Sequence, residues 1–188
     1  MKKIFMVVLA GCLFLLTNIL FAGVDPPKTG ELLPEITLSV PEETEYQEYL
    51  GLPDKGQFTI PQIKAEVVLI EFFSMYCPYC QDEAPTVNKF YSKIENNSNL
   101  KNKIKLIGIG VGNSPYEVNV FRKKYDISFT LFSDADFSIH KLVGEVRTPY
   151  FLGVKIMEDG THNIFYSKLG GLDDVDKFLS LIVQLSGL

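Results

Sequence analysis

The chain has 188 residues, of which 46% are apolar, and a formal net charge of −5. This length and composition fit one domain with a sizeable core, and they exclude a disordered chain. Because Lys2 and Lys3 lie at the N-terminus, the chain from Gly23 onward holds 16 of the 18 basic side chains and all 23 acidic ones. No basic cluster is present that could follow a phosphate backbone, so nucleic acid is excluded as a partner.

The N-terminal segment, MKKIFMVVLAGCLFLLTNILFAG, joins two lysines to a long apolar run. This pattern predicts that residues 1–23 are a signal peptide or a membrane anchor. Three fates stay open: cleavage after Ala22, retention as a single span, or lipidation at Cys12 within LAGC, which resembles a bacterial lipobox. Each fate places residues 24–188 in the bacterial periplasm or cell envelope, where two cysteines can cycle between dithiol and disulfide.

Apolar runs of strand type alternate with helical patterns in the rest of the chain. Val67–Phe73 and Ile104–Val111 are short and rich in β-branched residues, as buried parallel strands are. In the stretch NSPYEV, Ser114 and Glu117 have the spacing of a capping box, and Pro115 occupies the first helical position. This predicts a helix after the second strand.

The C-terminal part predicts strands at 130–132, 150–155 and 163–166, with a short helix between the first two. An amphipathic helix follows, whose apolar face comprises Val175, Phe178, Leu179, Ile182 and Val183. A β-α-β beginning and a β-β-α ending predict an α/β fold with a central mixed sheet flanked by helices. The acidic, turn-rich stretch at about 40–56 is interpreted as an insertion or a small local helix.

The stretch EFFSMYCPYCQDEAP contains the two cysteines that follow the N-terminal segment. Pro78 is favoured at a first helical position, so Cys77 is predicted at a helix N-terminus. Free backbone amides and the helix dipole there favour the thiolate, which is the attacking species. Cys80 lies one turn further on, where it can form a disulfide with Cys77. The two thiols thus form a reversible two-electron switch that requires no cofactor.

Two carboxylates accompany the cysteines. Glu71 lies on the otherwise apolar strand that leads to Cys77, and a buried carboxylate has a raised pKa. Glu71 is therefore predicted to accept the proton that Cys80 must lose. Glu83, three residues after Cys80 on the same helix, is predicted to share that role. The alternatives are a Glu71 on the exposed side of an edge strand and a solvated Glu83.

These residues resemble the active-site segment of exported thioredoxin-fold thiol-disulfide oxidoreductases of the TlpA/ResA type. The family pattern C-x-x-C-x-x-E-x-P is matched by Cys77, Cys80, Glu83 and Pro85. The resemblance implies a thioredoxin-like fold, and it places Glu71 where thioredoxins keep a buried aspartate. GELLPEITL and FTIPQIKAEVVLIEFF resemble the family's N-terminal strand extension, with the acidic insertion between them.

The stretch VRTPYFLGV resembles the loop that faces the disulfide in this fold. The resemblance implies that Pro149 is cis and that Thr148 offers its backbone to a substrate polypeptide. An ordinary trans proline is the alternative. Tyr76, Tyr79 and Tyr150 are predicted to surround the sulfur pair as an aromatic contact surface. Ordinary amphipathic surface residues are the alternative.

The resemblance implies an enzyme that reduces disulfides in exported proteins and is re-reduced by a membrane electron donor protein. No His or Lys lies between or beside the cysteines, and two carboxylates oppose the thiolate. We therefore expect a reductant or an enzyme of intermediate potential.

Several alternatives stay open at this stage. Cys77 and Cys80 can also form a structural disulfide, or bind metal, although no second pair or nearby His has metal-ligand spacing. A second possible function is that of an envelope protein of the same fold that carries copper on the two cysteines. Family members of that type have a C-x-x-x-C arrangement, whereas this chain has C-x-x-C, so the spacing disfavours this function. Exported peroxiredoxins have a threonine three residues before the peroxidatic cysteine, and Ser74 stands there instead.

Overall fold

The computed structural model describes residues 25–188, so the predictions for residues 1–23 and Cys12 lie outside the described residues. The N-terminal part contains strand β1 (Thr37–Ser39), helix α1 (Thr44–Leu50) and strand β2 (Gln57–Thr59), which is followed by a 3-10 turn at Ile60–Gln62. β1 and β2 pair antiparallel as a separate small sheet. The acidic stretch at 40–56 is therefore the connection between these two strands, and it contains a short helix.

The main sheet has five strands, β3 to β7, in the order β5-β4-β3-β6-β7. In chain order its elements are β3 (Val67–Phe73), α2 (Pro78–Glu95), β4 (Ile104–Val111), α3 (Pro115–Tyr125), β5 (Thr130–Asp134), α4 (Ser138–Leu142), β6 (Tyr150–Ile156), β7 (His162–Leu169) and α5 (Val175–Ser186). β3, β4 and β5 are parallel, whereas β6 is antiparallel to β3 and to β7. The ends of β3, β4, β5 and β7 and the start of β6 therefore meet at one edge, which we call the carboxyl end of the sheet.

The predicted mixed sheet is confirmed, and the bounds of β3 and β4 are those predicted. The capping box of α3 is also present: Ser114 Oγ accepts from the Glu117 N–H over 3.3 Å, and Glu117 Oε2 accepts from the Ser114 N–H over 2.7 Å. β5 is longer than predicted because Ser133 and Asp134 also pair with β4, opposite Gly110 and Val111. The Asp134 carboxylate accepts from the N–H groups of Ile139 and His140, which begin α4.

Helices cover both faces of the sheet. α2, α3 and α5 pack on one face, where they contact Val67, Leu69 and Phe73 of β3. α1, α4 and the small N-terminal sheet pack on the other face, against Val68, Ile70 and Phe72. Because side chains alternate along a strand, Glu71 points to the same face as Leu69 and Phe73, towards α2.

The insertion helix α1 is attached to the sheet through Tyr49. Its hydroxyl accepts from the Leu106 N–H over 2.8 Å and donates to the Leu106 carbonyl over 3.4 Å. β5 pairs with β4 only from Ile107 onward, so Tyr49 satisfies backbone groups that this neighbour does not reach. Between residues 25 and 188 there is no helix with the length and apolar character needed to cross a membrane.

Candidate active site

Cys77 is the N-cap of α2, and Pro78 occupies the first helical position as predicted. The Cys77 sulfur accepts a hydrogen bond from the Cys80 N–H over 3.4 Å. Both cysteines are free thiols: Cys77 is half-buried, whereas Cys80 is fully buried. The sulfur that can be reached from solvent is therefore the one at the start of the helix.

The environment of Cys77 lowers the pKa of its thiol. Burial alone would raise this pKa, but hydrogen bonds from the side chains of Thr148 and Cys80 and from the backbone amides of Cys80 and Tyr79 outweigh burial. Each of these donors stabilises the thiolate more than the thiol. A lowered pKa favours the thiolate, which is the nucleophilic form of cysteine.

The pKa values of Cys80 and Glu71 are raised, whereas that of Cys77 is lowered. Burial raises the pKa of Cys80 well above its usual range, and the hydrogen bond with Cys77 and the charge of Glu71 raise it further. Glu71 is 3% exposed, and burial raises its pKa to about 8, with contributions from the charges of Glu83 and Cys77. β3 has neighbours on both sides at this position, so the alternative of an edge strand is wrong.

Glu83 is half-buried and bonded to the backbone. Its Oε1 accepts from the Leu172 N–H over 2.6 Å, in the loop between β7 and α5. Burial raises the pKa of Glu83 and the charge of Asp173 adds to this, while the bond from Leu172 acts in the opposite direction. Gly171 lets the loop approach closely, since a Cβ there would collide with the Glu83 carboxylate. Glu83 is therefore partly solvated, and one of its carboxylate oxygens has a backbone partner.

The loop before β6 lies against the two sulfurs. The Thr148–Pro149 peptide bond is cis, and the Cys77 thiol donates to the Thr148 carbonyl over 3.3 Å. The Pro149 carbonyl accepts from the Gly170 N–H over 2.9 Å, which joins this loop to the end of β7. A cavity of about 460 Å³ opens here. It is lined by Tyr79, Asp82, Glu83, Arg147, Thr148, Pro149, Leu169, Gly170 and Gly171.

Exposed aromatic side chains are concentrated at the carboxyl end of the sheet. Tyr76 and Tyr79 are 66% and 75% exposed, and the Tyr76 hydroxyl donates to the Glu117 carboxylate at the start of α3. Tyr116 and Phe137, at 76% and 44%, are the other exposed aromatic residues between residues 25 and 188. All four follow the parallel strands β3, β4 and β5 and therefore share the end that carries Cys77.

Tyr150 does not belong to this surface, so the prediction that it faces the sulfur pair is wrong. It is the first residue of β6 and only 8% exposed, and its hydroxyl is hydrogen bonded to Ser167 over 2.7 Å. Ser167 in turn donates to the Pro27 carbonyl over 2.5 Å. The Tyr150 hydroxyl thus contacts the Ser167 side chain, which joins β7 to the backbone at Pro27.

The structure brings Cys77, Cys80, Glu71, Glu83, Thr148, Pro149 and Tyr79 together around one sulfur pair, with Tyr76 on the side of α3. Sequence reasoning missed Asn113, which bonds the backbone of the loop before Cys77. A signal was present, because Asn113 follows the end of a predicted parallel strand, at the edge where Cys77 also lies. Within residues 25–188, no three His, Cys, Asp or Glu residues are grouped so as to hold a metal ion.

Several solved structures have the same fold. A secreted disulfide oxidoreductase from Mycobacterium tuberculosis, homologous to E. coli DsbE, is 20% identical over 71% of this chain and 90% of its own, with a TM-score of 0.51. StoA from Bacillus subtilis is 22% identical over 68% of this chain and 89% of its own, with a TM-score of 0.51. The thioredoxin domain of a thiol-disulfide oxidoreductase from Bacteroides vulgatus is 15% identical over 82% of this chain and 98% of its own, with a TM-score of 0.59.

These likenesses confirm the thioredoxin-like fold. No curated protein matches the chain. The AhpC/TSA family matches residues 30–162, a range that includes both cysteines, Glu71, Glu83 and the loop of Thr148 and Pro149. The chain therefore belongs to the AhpC/TSA family.

Proposed function

We propose that the protein is a thiol-disulfide oxidoreductase of the bacterial envelope that reduces disulfides in exported proteins. One observation carries this proposal. A half-buried sulfur with a lowered pKa caps a helix, and a second, fully buried thiol with a raised pKa lies one turn further on. On the basis of this asymmetry we assign attack on the client to Cys77 and resolution to Cys80.

In the first step the Cys77 thiolate attacks one sulfur of the client disulfide. A bond forms between Cys77 and that sulfur, the client S–S bond breaks, and the released client thiolate takes a proton from water. We assign Thr148 and Pro149 to bind the client backbone beside the sulfurs, and Tyr76 and Tyr79 to contact its side chains. The cavity of about 460 Å³ that Tyr79, Thr148 and Pro149 help to line supports a polypeptide client.

In the second step Cys80 must lose its proton before it can attack. We assign the Glu71 carboxylate as the base that takes this proton, because its raised pKa brings it closer to that of the thiol. The Cys80 thiolate then attacks the Cys77 sulfur of the mixed disulfide. The Cys77–Cys80 disulfide forms, the second client thiolate leaves, and the client has gained two electrons. Glu83 supports the site through its contact with Leu172.

The cycle needs a dithiol donor that reduces the Cys77–Cys80 disulfide again. We assign this role to a membrane electron donor protein, with residues 24–188 as the exported thioredoxin-like domain. Residues 1–23, as signal peptide or anchor, would bring the domain to the envelope.

A trapping experiment tests the proposal. Cys80→Ser removes the resolving thiol, so mixed disulfides through Cys77 are expected to accumulate, and mass spectrometry identifies the captured clients. The wild-type protein is expected to reduce insulin disulfides with dithiothreitol as donor, and Cys77→Ser is the control that should do neither. Absence of both capture and insulin reduction in the properly folded protein would contradict the proposal. Copper titration and peroxide consumption on the same samples test the two alternatives raised by the sequence.

A further inference from the structure

We propose that Asn113 is a positioning residue: its buried side chain fixes the loop that precedes Cys77 and thereby sets the reactivity of the Cys77 sulfur. This inference rests on the function proposed above, in which Cys77 is the attacking thiol. It concerns a residue two positions after the end of β4, on a segment that carries none of the groups assigned to the reaction so far.

The Asn113 side chain is completely buried and bonded at both ends. Its Oδ1 accepts from the Met75 N–H over 2.8 Å, and its Nδ2 donates to the Ser74 Oγ over 3.3 Å. Ser74 and Met75 are the first residues after β3, and they lead directly to Cys77. The side-chain amide of Asn113 therefore holds two successive residues of the loop that leads to Cys77.

Asn113 is itself fixed by its surroundings. Gly112 before it has a φ of +63°, a conformation that favours glycine, and a Cβ at this position would collide with the Phe137 ring. The Asn113 carbonyl accepts from the Ser133 hydroxyl over 2.6 Å, at the end of β5. The tight turn thus presents the Asn113 amide to the end of β3 as part of the rigid sheet.

A second amide completes the restraint on Met75. Gln81 Nε2 donates to the Met75 carbonyl over 2.7 Å, so both backbone polar groups of Met75 are held by side-chain amides, one from Asn113 and one from Gln81. The Cys77 N–H then donates to the Ser74 carbonyl over 3.0 Å, which closes the turn. The direction in which Cys77 enters α2 follows from these contacts.

The position of the Cys77 sulfur determines its reactivity because its thiolate depends on directional hydrogen bonds. At the start of α2 the sulfur accepts from the Cys80 N–H over 3.4 Å, a bond that stabilises the thiolate, whereas the Thr148 carbonyl, 3.3 Å away in the loop before β6, accepts from the protonated thiol. Such bonds weaken steeply when the donor angle or distance changes. A loosened Ser74–Met75 segment lets the sulfur move away from the amides, and the thiolate loses stabilisation.

The experiment compares Asn113→Ala with Asn88→Ala in the full chain. Asn88 is a matched control: it is a half-buried asparagine of α2 whose Nδ2 donates to the Tyr125 carbonyl over 2.9 Å, remote from Met75. For each reduced protein, the rate of Cys77 alkylation by iodoacetamide is measured against pH, and thermal unfolding is recorded. Cys80 is buried, and mass spectrometry of the alkylated peptides separates Cys77 from Cys12, so the rate for the Cys77 peptide is the one compared.

Both variants are expected to lower Tm, but only Asn113→Ala is expected to shift the Cys77 titration to higher pH. Its alkylation rate at pH 7 should fall about two- to tenfold, tenfold corresponding to about one pH unit. Equal titration curves for Asn113→Ala and wild type would overturn the inference, as would an equal shift in Asn88→Ala.

Gln81→Ala removes the other restraint on Met75 and is expected to shift the titration in the same direction. It carries the test if Asn113→Ala does not fold. In the double variant the two shifts should not add, because both substitutions act through the backbone of the same residue, Met75. The outcome is separate from that of the proposed function: a wild-type protein with a reactive Cys77 and insulin reductase activity, but an unaffected Asn113→Ala variant, contradicts only this inference.

Discussion

Glu71 lies on the face of β3 that packs against α2, and its negative charge raises the pKa of Cys80. The coupling extends to Cys77, whose charge contributes to the raised pKa of Glu71. The two thiols and the carboxyl group are thus in competition, because a negative charge on one of them disfavours ionisation of its neighbours. When Cys77 is a thiolate, protons are retained on Glu71 and Cys80, and once Cys77 is consumed in a mixed disulfide, Glu71 is freer to ionise.

The first prediction follows from this competition and concerns Glu71→Gln. The variant should capture client disulfides through Cys77 at nearly the wild-type rate, but release of the client by Cys80 at pH 7 should slow about 10²-fold because the base is missing. In the wild type, release should accelerate with rising pH as Glu71 ionises, and this rise should occur below pH 8, because the charge of Cys77 that helps to raise the Glu71 pKa to about 8 is absent from the mixed disulfide. Stopped-flow measurement of mixed-disulfide formation and decay separates the two steps. Equal slowing of both steps would contradict the assigned role.

Glu71→Gln should also change how stability depends on pH. The pKa of Glu71 is raised on folding from 4.5 to about 8, so the folded state binds the proton more tightly than the unfolded state. The resulting stabilisation is complete below about pH 4.5 and is lost as pH rises towards about 8. Relative to wild type, Glu71→Gln should therefore gain stability between pH 5 and 8, on the order of a few kcal/mol. Urea denaturation at several pH values measures this.

Glu66→Gln is the matched control, because Glu66 directly precedes β3 but is ion-paired with Lys103 and Lys155. The hydrogen bond from Lys103 lowers the pKa of Glu66, so its effect on stability has the opposite sign and is lost as pH falls. A relative gain with rising pH in Glu66→Gln, or none in Glu71→Gln, would refute the assignment.

Most of the fold was readable from the sequence because its signals are local. The apolar runs of β3 and β4 and the capping box of α3 each depend on neighbours within a few residues. Tyr150 was assigned wrongly because its position follows from a tertiary contact with Ser167, seventeen residues away. The role of Tyr49 was missed for the same reason, since its partner Leu106 lies in a strand that only the folded sheet brings near.

The second prediction concerns Glu83, whose charge is one of the causes that raise the pKa of Glu71. Glu83→Gln removes the charge but keeps an oxygen that can accept from the Leu172 N–H. The pKa of Glu71 should fall, so the rise of client release with pH should occur at lower pH than in wild type, with little loss of stability. Asp82→Asn, at the exposed neighbouring position, is the control and should not shift this profile. An unchanged profile in Glu83→Gln, or an equal shift in both, would disprove the coupling.

The third prediction concerns the exposed aromatic residues at the carboxyl end of the sheet. Tyr76→Ala and Tyr116→Ala should lower kcat/KM for an unfolded disulfide-bearing polypeptide about three- to tenfold, because aromatic anchors dominate such contacts. The same variants should reduce a small disulfide such as cystine at nearly the wild-type rate, since it cannot reach these rings. Leu185→Ala, at an exposed apolar residue of α5, serves as control and should affect neither substrate. Equal losses with both substrates would contradict a contact surface.

Recognition of the site from the sequence was limited in the same way as that of the fold. Cys77 and Cys80 were identified because their spacing of three residues places them one turn apart at the start of one helix. Glu71 was identified because it interrupts an apolar strand. Glu83 depended on the family pattern, since its partner Leu172 lies in a loop far along the chain. Asn113 was missed because its contact with Met75 exists only where two neighbouring parallel strands end together.

The fourth prediction concerns the direction of electron flow. The Cys77 thiolate is stabilised by neutral donors, the Thr148 and Cys80 side chains and two backbone amides, whereas Glu71 contributes negative charge nearby. A less stable thiolate makes the reduced form a better electron donor. The potential should therefore lie nearer to about −270 mV, as in thioredoxin, than to about −120 mV, as in the strongest oxidants of the fold. Equilibration with glutathione buffers, followed by alkylation and mass spectrometry, measures it.

A substitution between the cysteines tests the reason for this value as well as the value itself. Tyr79→His places an imidazole next to the Cys77 sulfur, and its protonated form stabilises the thiolate electrostatically. The potential should rise in this variant, and increasingly so below about pH 6.5, where histidine is charged. Tyr79→Phe introduces no charge and should leave the potential close to the wild-type value. If the histidine variant equilibrates with glutathione as the wild type does, charge near Cys77 does not control the potential and the predicted reductase direction loses its physical basis.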